Sequence, residues 1–261
     1  MNGERGRPDV TDDVTAAILV IGNEILSGRT QDINVQYIAT GLGQVGVRVR
    51  EVRVVADDEA AIIEALNALR AAHRYVFTTG GIGPTHDDIT AECIAKAFGV
   101  PLLRDPRAVE RLLKQIKPEN LNEARLRMAN IPQGAELIDN PVSQAPGFHI
   151  GNVYVMAGVP RIMQAMFDGV KPTLTGGARV LSASVIIYAP EGSVASALGE
   201  IQAAAPDTEI GSYPFAKDGR FGTVIVTRGT DRARVAEVSA QVVAMAHAIG
   251  AETVDEGVKE P

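Results

Sequence analysis

The chain has 261 residues, of which 46% are hydrophobic and 22% charged, and it carries a net charge of −7. Such a chain buries a full core and is not wholly disordered, and its negative charge argues against attachment to nucleic acid or anionic lipid by bulk charge. Cys93 is the one cysteine, so an intramolecular disulfide and a CxxC zinc or redox site are excluded. Tryptophan is absent and aromatics make up 4%, which leaves few platforms for stacking single-stranded nucleic acid. The polar N-terminus lacks the apolar stretch of a signal peptide, and no apolar run reaches the roughly 18 residues of a spanning helix. The expectation is a cytoplasmic protein with neither a nucleic-acid nor a membrane partner.

Residues 1–15 read as a disordered leader. Ala16 to Ile21 is a continuous apolar run stopped by Gly22, the pattern of a parallel strand buried on both faces. Ile33, Tyr37, Ile38 and Leu42 then recur at helical spacing, and Val45 to Val55 is rich in β-branched residues. Asp57 and Asp58 precede a second helical pattern through Leu69, with acidic residues where a helix start favours them. Tyr75 to Thr79 is the third strand, and a helix is expected from about Asp88 to Phe98. Pro106 to Ala129 is helical with a break at Pro118; Ala135 to Ile138 and Val153 to Met156 read as strands; Ile162 to Phe167 fits a short helix. This rhythm predicts an α/β domain over residues 16–170, a mainly parallel sheet covered by helices on both faces.

Lys171 to Gly177 reads as a linker, and a small α+β module follows over residues 178–250 in the order β-α-β-β-α, with a turn at Lys217-Asp218-Gly219. Its alternating strands could extend a sheet across a dimer. Residues 251–261 read as a frayed tail.

Candidate chemistry lies in three glycine-bearing loops, each after a predicted strand, where ligands of open parallel sheets bind. Thr78 to Thr90 reads Thr-Thr-Gly-Gly-Ile-Gly-Pro-Thr-His-Asp-Asp-Ile-Thr. Gly80, Gly81 and Gly83 would bring backbone N–H groups to an anion, Pro84 is a binding candidate in the same loop, and Thr85 and Thr90 carry hydroxyl donors. Asp87 and Asp88 repel an anion, so they are either plain helix caps or the holders of a divalent cation between carboxylate and phosphate. The loop has no Gly-Lys-Ser/Thr and no complete GxGxxG, which disfavours a P-loop or an ordinary NAD site. In Gly22 to Gly28, Gly22, Asn23 and Ser27 could meet a ligand, and Glu24 could reach a metal or a ribose hydroxyl; the alternative is an ordinary turn. In Ala157 to Arg161, Gly158 permits close approach, Pro160 suits a first helical position, and Arg161 is a phosphate binder or a solvated charge. His86 is a possible acid/base or a bystander, and Cys93 falls on the core face of its helix.

Together these loops, with Asn140 through Ala145-Pro-Gly147 and Ala157-Gly-Val-Pro160, resemble the molybdopterin-binding-like domain of molybdenum-cofactor biosynthesis proteins and, more closely, the competence/damage-inducible protein A (CinA) family. The resemblance covers about residues 16–170. It implies a three-layer α/β/α domain and divalent-metal-dependent hydrolysis, with Mg, Mn or Co, of pyrophosphate-linked dinucleotides such as ADP-ribose or FAD. On this chain it would place phosphate on Gly80 to Thr85, the cation on Asp87 and Asp88, and Glu24 in the same pocket. The alternative it carries is a non-catalytic binder of molybdopterin or a nucleotide. A homo-oligomer, dimer or trimer, is expected. Full-length CinA proteins add a deamidase domain for which this chain has no room, so that activity is expected to be absent. Ser143-Gln144 stands where many relatives have Gly-Thr, a place where substrate choice could differ.

Overall fold

A computed structural model describes residues 13–217 and 219–261 of the chain. They fall into two compact units that divide between Gly177 and Ala178. Most of the expected leader lies outside the described residues. Its last two residues, Val14 and Thr15, belong to the first strand, because Asp13 just before them pairs with Arg48 and Arg50 of the neighbouring strand.

The first unit runs β1 (Val14–Ile21), α1 (Asn23–Leu26), α2 (Asn34–Gln44), β2 (Val47–Val55), α3 (Glu59–Ala72), β3 (Tyr75–Thr79) and α4 (Thr90–Phe98). It continues β4 (Leu102–Arg104), α5 (Pro106–Leu113), α6 (Glu123–Leu126), β5 (Asn130–Pro132), β6 (Glu136–Ile138), β7 (Gly147–Ile150), β8 (Val153–Met156) and α7 (Pro160–Val170). The main sheet has the order β2-β1-β3-β8-β7-β6. The contacts β1–β2, β1–β3 and β3–β8 are parallel, and β7 and β6 run antiparallel at one edge. The apolar run of β1 explains the layering. Ala17, Leu19 and Ile21 face one side, against Leu66 of α3, Ile94 of α4 and Leu112 of α5. Ala16, Ile18 and Val20 face the other, against Ile38 and Leu42 of α2 and Met163 and Phe167 of α7. With period-2 side chains and apolar residues at every position, the strand has to be covered twice, which gives three α/β/α layers. Because β2 lies on one side of β1 and β3 on the other, the chain reverses direction across the sheet there, and a crevice opens at the carboxyl ends of β1 and β3.

Several boundaries differ from the sequence reading. α4 starts at Thr90 rather than Asp88, because residues 85–88 close a separate turn, with Asp88 N–H donating to Thr85 O at 3.3 Å. The Pro106–Ala129 stretch breaks into two short α-helices and two 3-10 turns. β7 has no counterpart in the reading: Gly151, at φ +59°, folds Phe148-His149-Ile150 back onto β8.

The second unit is β9 (Leu181–Ile187), α8 (Glu191–Ala204), β10 (Glu209–Lys217), β11 (Arg220–Gly229), α9 (Arg232–Ala248) and β12 (Thr253–Lys259). The expected frayed tail is instead a strand, β12, paired antiparallel with β9 through Thr253↔Ile187 and Lys259↔Ser182. It completes a β-α-β-β-α-β split arrangement with sheet order β10-β11-β9-β12. Val185, Ile187 and Ile225 of the sheet pack on Val194 and Leu198 of α8 and Val242 of α9. The outer edge of β10 is partly closed. Gln202 bridges it like a strand partner, accepting from Ile210 N–H at 2.7 Å and donating to Thr208 O at 2.8 Å. Further along, Pro214 has no N–H to offer. Such devices oppose edge-to-edge pairing, so β10 is ill suited to extending a sheet across a dimer.

Candidate functional site

The crevice beside β1 and β3 is a cleft of about 510 Å³. Its floor is the loop after β3. Gly80 donates its N–H to Met156 O of β8 at 3.2 Å and has φ +103°. A Cβ there would lie 2.1 Å from Ile21 O, so only glycine lets this loop pass against the end of β1. Gly158, after β8, is also tightly placed: its Cβ would stand 3.2 Å from Gly80 Cα. The loops after β1, β3 and β8 therefore do meet at one rim, where Glu24, Gly80, Gly81, Gly83, Pro84, Thr85, Asp87, Asp88, Gly158 and Pro160 all line the cleft.

Other expected residues have structural roles or lie off the wall. Thr90 is fully buried, and its hydroxyl donates to Gly80 O at 3.0 Å while its N–H donates to Gly81 O at 3.0 Å. It shapes the Gly80–Gly83 loop from behind, and its hydroxyl proton is committed to Gly80 O. Gly22, Asn23 and Ser27 do not line the cleft. Gly22 N–H donates to Val55 O, Asn23 N–H to Asp57, and the Ser27 hydroxyl to Glu24 O, so they hold the Glu24 turn in place. His86 has a side chain 97% exposed and does not face the cleft, nor does Arg161.

The sequence reading missed Asp57, whose carboxylate accepts the Asn23 N–H at 2.8 Å and lines the cleft. It also missed the function of Asn140. This buried side chain accepts from the N–H groups of Val142 and Ser143 and donates to Ser143 Oγ and Ala145 O, which folds residues 140–145 into the far wall. The Asn140-Pro141 dipeptide is a readable turn signal.

The electrostatics are one-sided. Glu24, Asp57, Asp87 and Asp88 line the cleft, and among the described residues no lysine, arginine or histidine does. Asp88 accepts from both the N–H (2.8 Å) and the hydroxyl of Thr85. The Asp87 carboxyl titrates below the ordinary carboxylate range, first through the Thr85 hydroxyl beside it, then its own backbone N–H, with smaller pulls from His86 and Arg127. That hydroxyl has one proton and its direct bond is to Asp88, so the two carboxylates compete for it. No group of three or more His, Cys, Asp or Glu is gathered for an ion among the described residues. The donor set therefore does not form a closed protein cage. A cation bound there would have one or two protein carboxylates and would need phosphate oxygens and water to complete its shell, the pattern usual for magnesium.

Comparison with known proteins gives the family. The family model described as "Probable molybdopterin binding domain" matches residues 17–176, and that of "FAD synthase, middle domain" matches residues 179–254. The chain is 36% identical to a protein of Archaeoglobus fulgidus over 197 residues, 76% of this chain and 84% of that one. It is 35% identical over 209 residues to a CinA-like protein of Desulfosudis oleivorans, covering 75% of this chain but 51% of the relative, so it spans about half of that protein's length. The crystal structure of CinA from Thermoplasma acidophilum, titled as of unknown function, superposes with a TM-score of 0.59 at 36% identity, over 62% of this chain and 98% of that one. The chain belongs to this molybdopterin-binding-domain family, and within it to the CinA-like proteins.

Proposed function

We propose that the chain is a divalent-metal-dependent pyrophosphatase acting on dinucleotides of the ADP-ribose or FAD type. The observation that carries this reading is the pairing of an anion-cradling glycine loop with four carboxylates and no cationic side chain in one cleft. A phosphate ligand there is repelled by the protein's own charge unless a cation lies between them. The second unit's likeness to the FAD synthase middle domain supports a dinucleotide over a mononucleotide.

In this proposal Asp87 and Asp88 hold the cation, which when bound neutralises charge on the phosphate oxygens. The N–H groups of Gly81, Ile82 and Gly83 orient the diphosphate, while the Gly80 N–H stays on Met156 O. Glu24, which lines the same cleft, accepts the proton of the attacking water as its oxygen bonds to phosphorus. The bond from that phosphorus to the bridging oxygen breaks, and ADP-ribose gives AMP and ribose phosphate. The solvent-exposed side chain of His86 favours Glu24 over His86 as the base in this proposal. The second reading, a non-catalytic binder of molybdopterin or a nucleotide, is favoured by the family description and by the absence of a closed metal cage among the described residues. AMP release from ADP-ribose and FAD with Mg²⁺, Mn²⁺ or Co²⁺ separates the two. Turnover lost in an Asp87→Ala, Asp88→Ala double variant is the expected result; saturable binding without turnover under every metal selects the binder.

A further inference from the structure

Asn34 opens α2, is 4% exposed, and does not line the cleft. Its Nδ2 donates to Gly158 O at 2.8 Å. A carbonyl only accepts, so this bond fixes which end of the amide faces Gly158. The other end, Oδ1, is then buried with no partner. A leucine of similar shape would avoid burying an unsatisfied acceptor, so the side chain's donor end is what the position uses. The peptide that Asn34 grips joins Gly158 to Val159, and it is trans, as is every described peptide bond. In a trans peptide the C=O and N–H point in opposite directions. Holding Gly158 O on the α2 side turns the Val159 N–H to the other side, where Val159 lines the cleft at the start of α7. Among the described residues the Val159 N–H has no protein acceptor.

We infer that Asn34 is a positioning residue that aims the Val159 N–H at a phosphate oxygen of the ligand, an inference that rests on reading the cleft as a phosphate site. The contact of Gly158 with Gly80 makes the same bond set the spacing between the two glycine loops. The test uses the ¹⁵N-labelled full chain titrated with inorganic pyrophosphate and Mg²⁺. In the wild type the Val159 amide proton moves downfield on saturation. In Asn34→Leu that shift is lost and pyrophosphate binds at least tenfold more weakly. Asn34→Asp, which cannot donate while ionised, binds weakly at pH 7.5 and recovers toward the wild-type value measured at the same pH as acid restores its O–H. Wild-type affinity in Asn34→Leu, no recovery in Asn34→Asp, or a wild-type Val159 amide that stays still while pyrophosphate binds would each overturn the role of Asn34 and leave the phosphate site standing. No pyrophosphate binding by the wild type would overturn both. The wild-type Val159 shift needs no variant to fold.

Discussion

Replacing Gly80 with alanine tests the packing that brings the loops together. At φ +103° an L-residue is strained by about 1–2 kcal/mol. The new Cβ would also lie 2.1 Å from Ile21 O, where an ordinary carbon–oxygen contact is about 3.3 Å, so loop and strand must part by about 1.2 Å. Ile21 is the last residue of β1, paired with Val55 and fully inside the sheet, so it yields little. Overpacking of this kind adds about 1–3 kcal/mol. A total near 3 kcal/mol lowers the melting temperature by roughly 6–12 °C for a domain of this size. Gly99→Ala is the control: φ is +65°, nothing lies within 4 Å of the new Cβ, and only the backbone strain of about 1 kcal/mol is added. Calorimetry of both variants, with a pyrophosphate titration of each, reads the difference. Gly80→Ala is expected to melt well below Gly99→Ala and to lose pyrophosphate affinity. Equal melting temperatures with unchanged binding would refute the close-approach argument.

Three further outcomes follow from particular contacts. Thr90→Val keeps the shape but removes the hydroxyl bond to Gly80 O, and is expected to cost about 0.5–1.5 kcal/mol in denaturant unfolding and to weaken phosphate binding, although Thr90 does not line the cleft. The Cys93 thiol is pushed up to about 11, chiefly by burial, so it should resist alkylation at pH 8 in the native protein and react once unfolded. Asp87 has a folded pKa below its unfolded value, so the stability it contributes is complete above the ordinary Asp range near ~4 and is lost as pH falls through the depressed folded value; carboxyl NMR titration against Asp87→Asn checks the direction.

The sequence carried the layers and the rim because both rest on local patterns. A run that is apolar at every position, as in β1, demands cover on two faces, and a glycine-rich turn after each such strand places backbone donors at a shared edge. What stayed hidden depended on partners distant in the chain. Residues 253–259 are polar enough to pass for a tail, and become a strand only because β9 lies alongside. Thr90 resembles a phosphate donor until its hydroxyl is found beneath Gly80, and Asn34 resembles a plain helix start until Gly158, 124 positions away, accepts its amide. Asp57 read as a helix-start acid, which hides that its carboxylate holds the Asn23 turn and faces the cleft.

In the proposed function, an acidic cleft without cationic side chains takes a diphosphate only together with a metal ion. Isothermal titration of the full chain with inorganic pyrophosphate, once with Mg²⁺ and once with EDTA, tests it most directly. Saturable binding with Mg²⁺ that vanishes in EDTA, and is lost in Asp87→Ala, Asp88→Ala, is the predicted result; equal affinity in EDTA would contradict it.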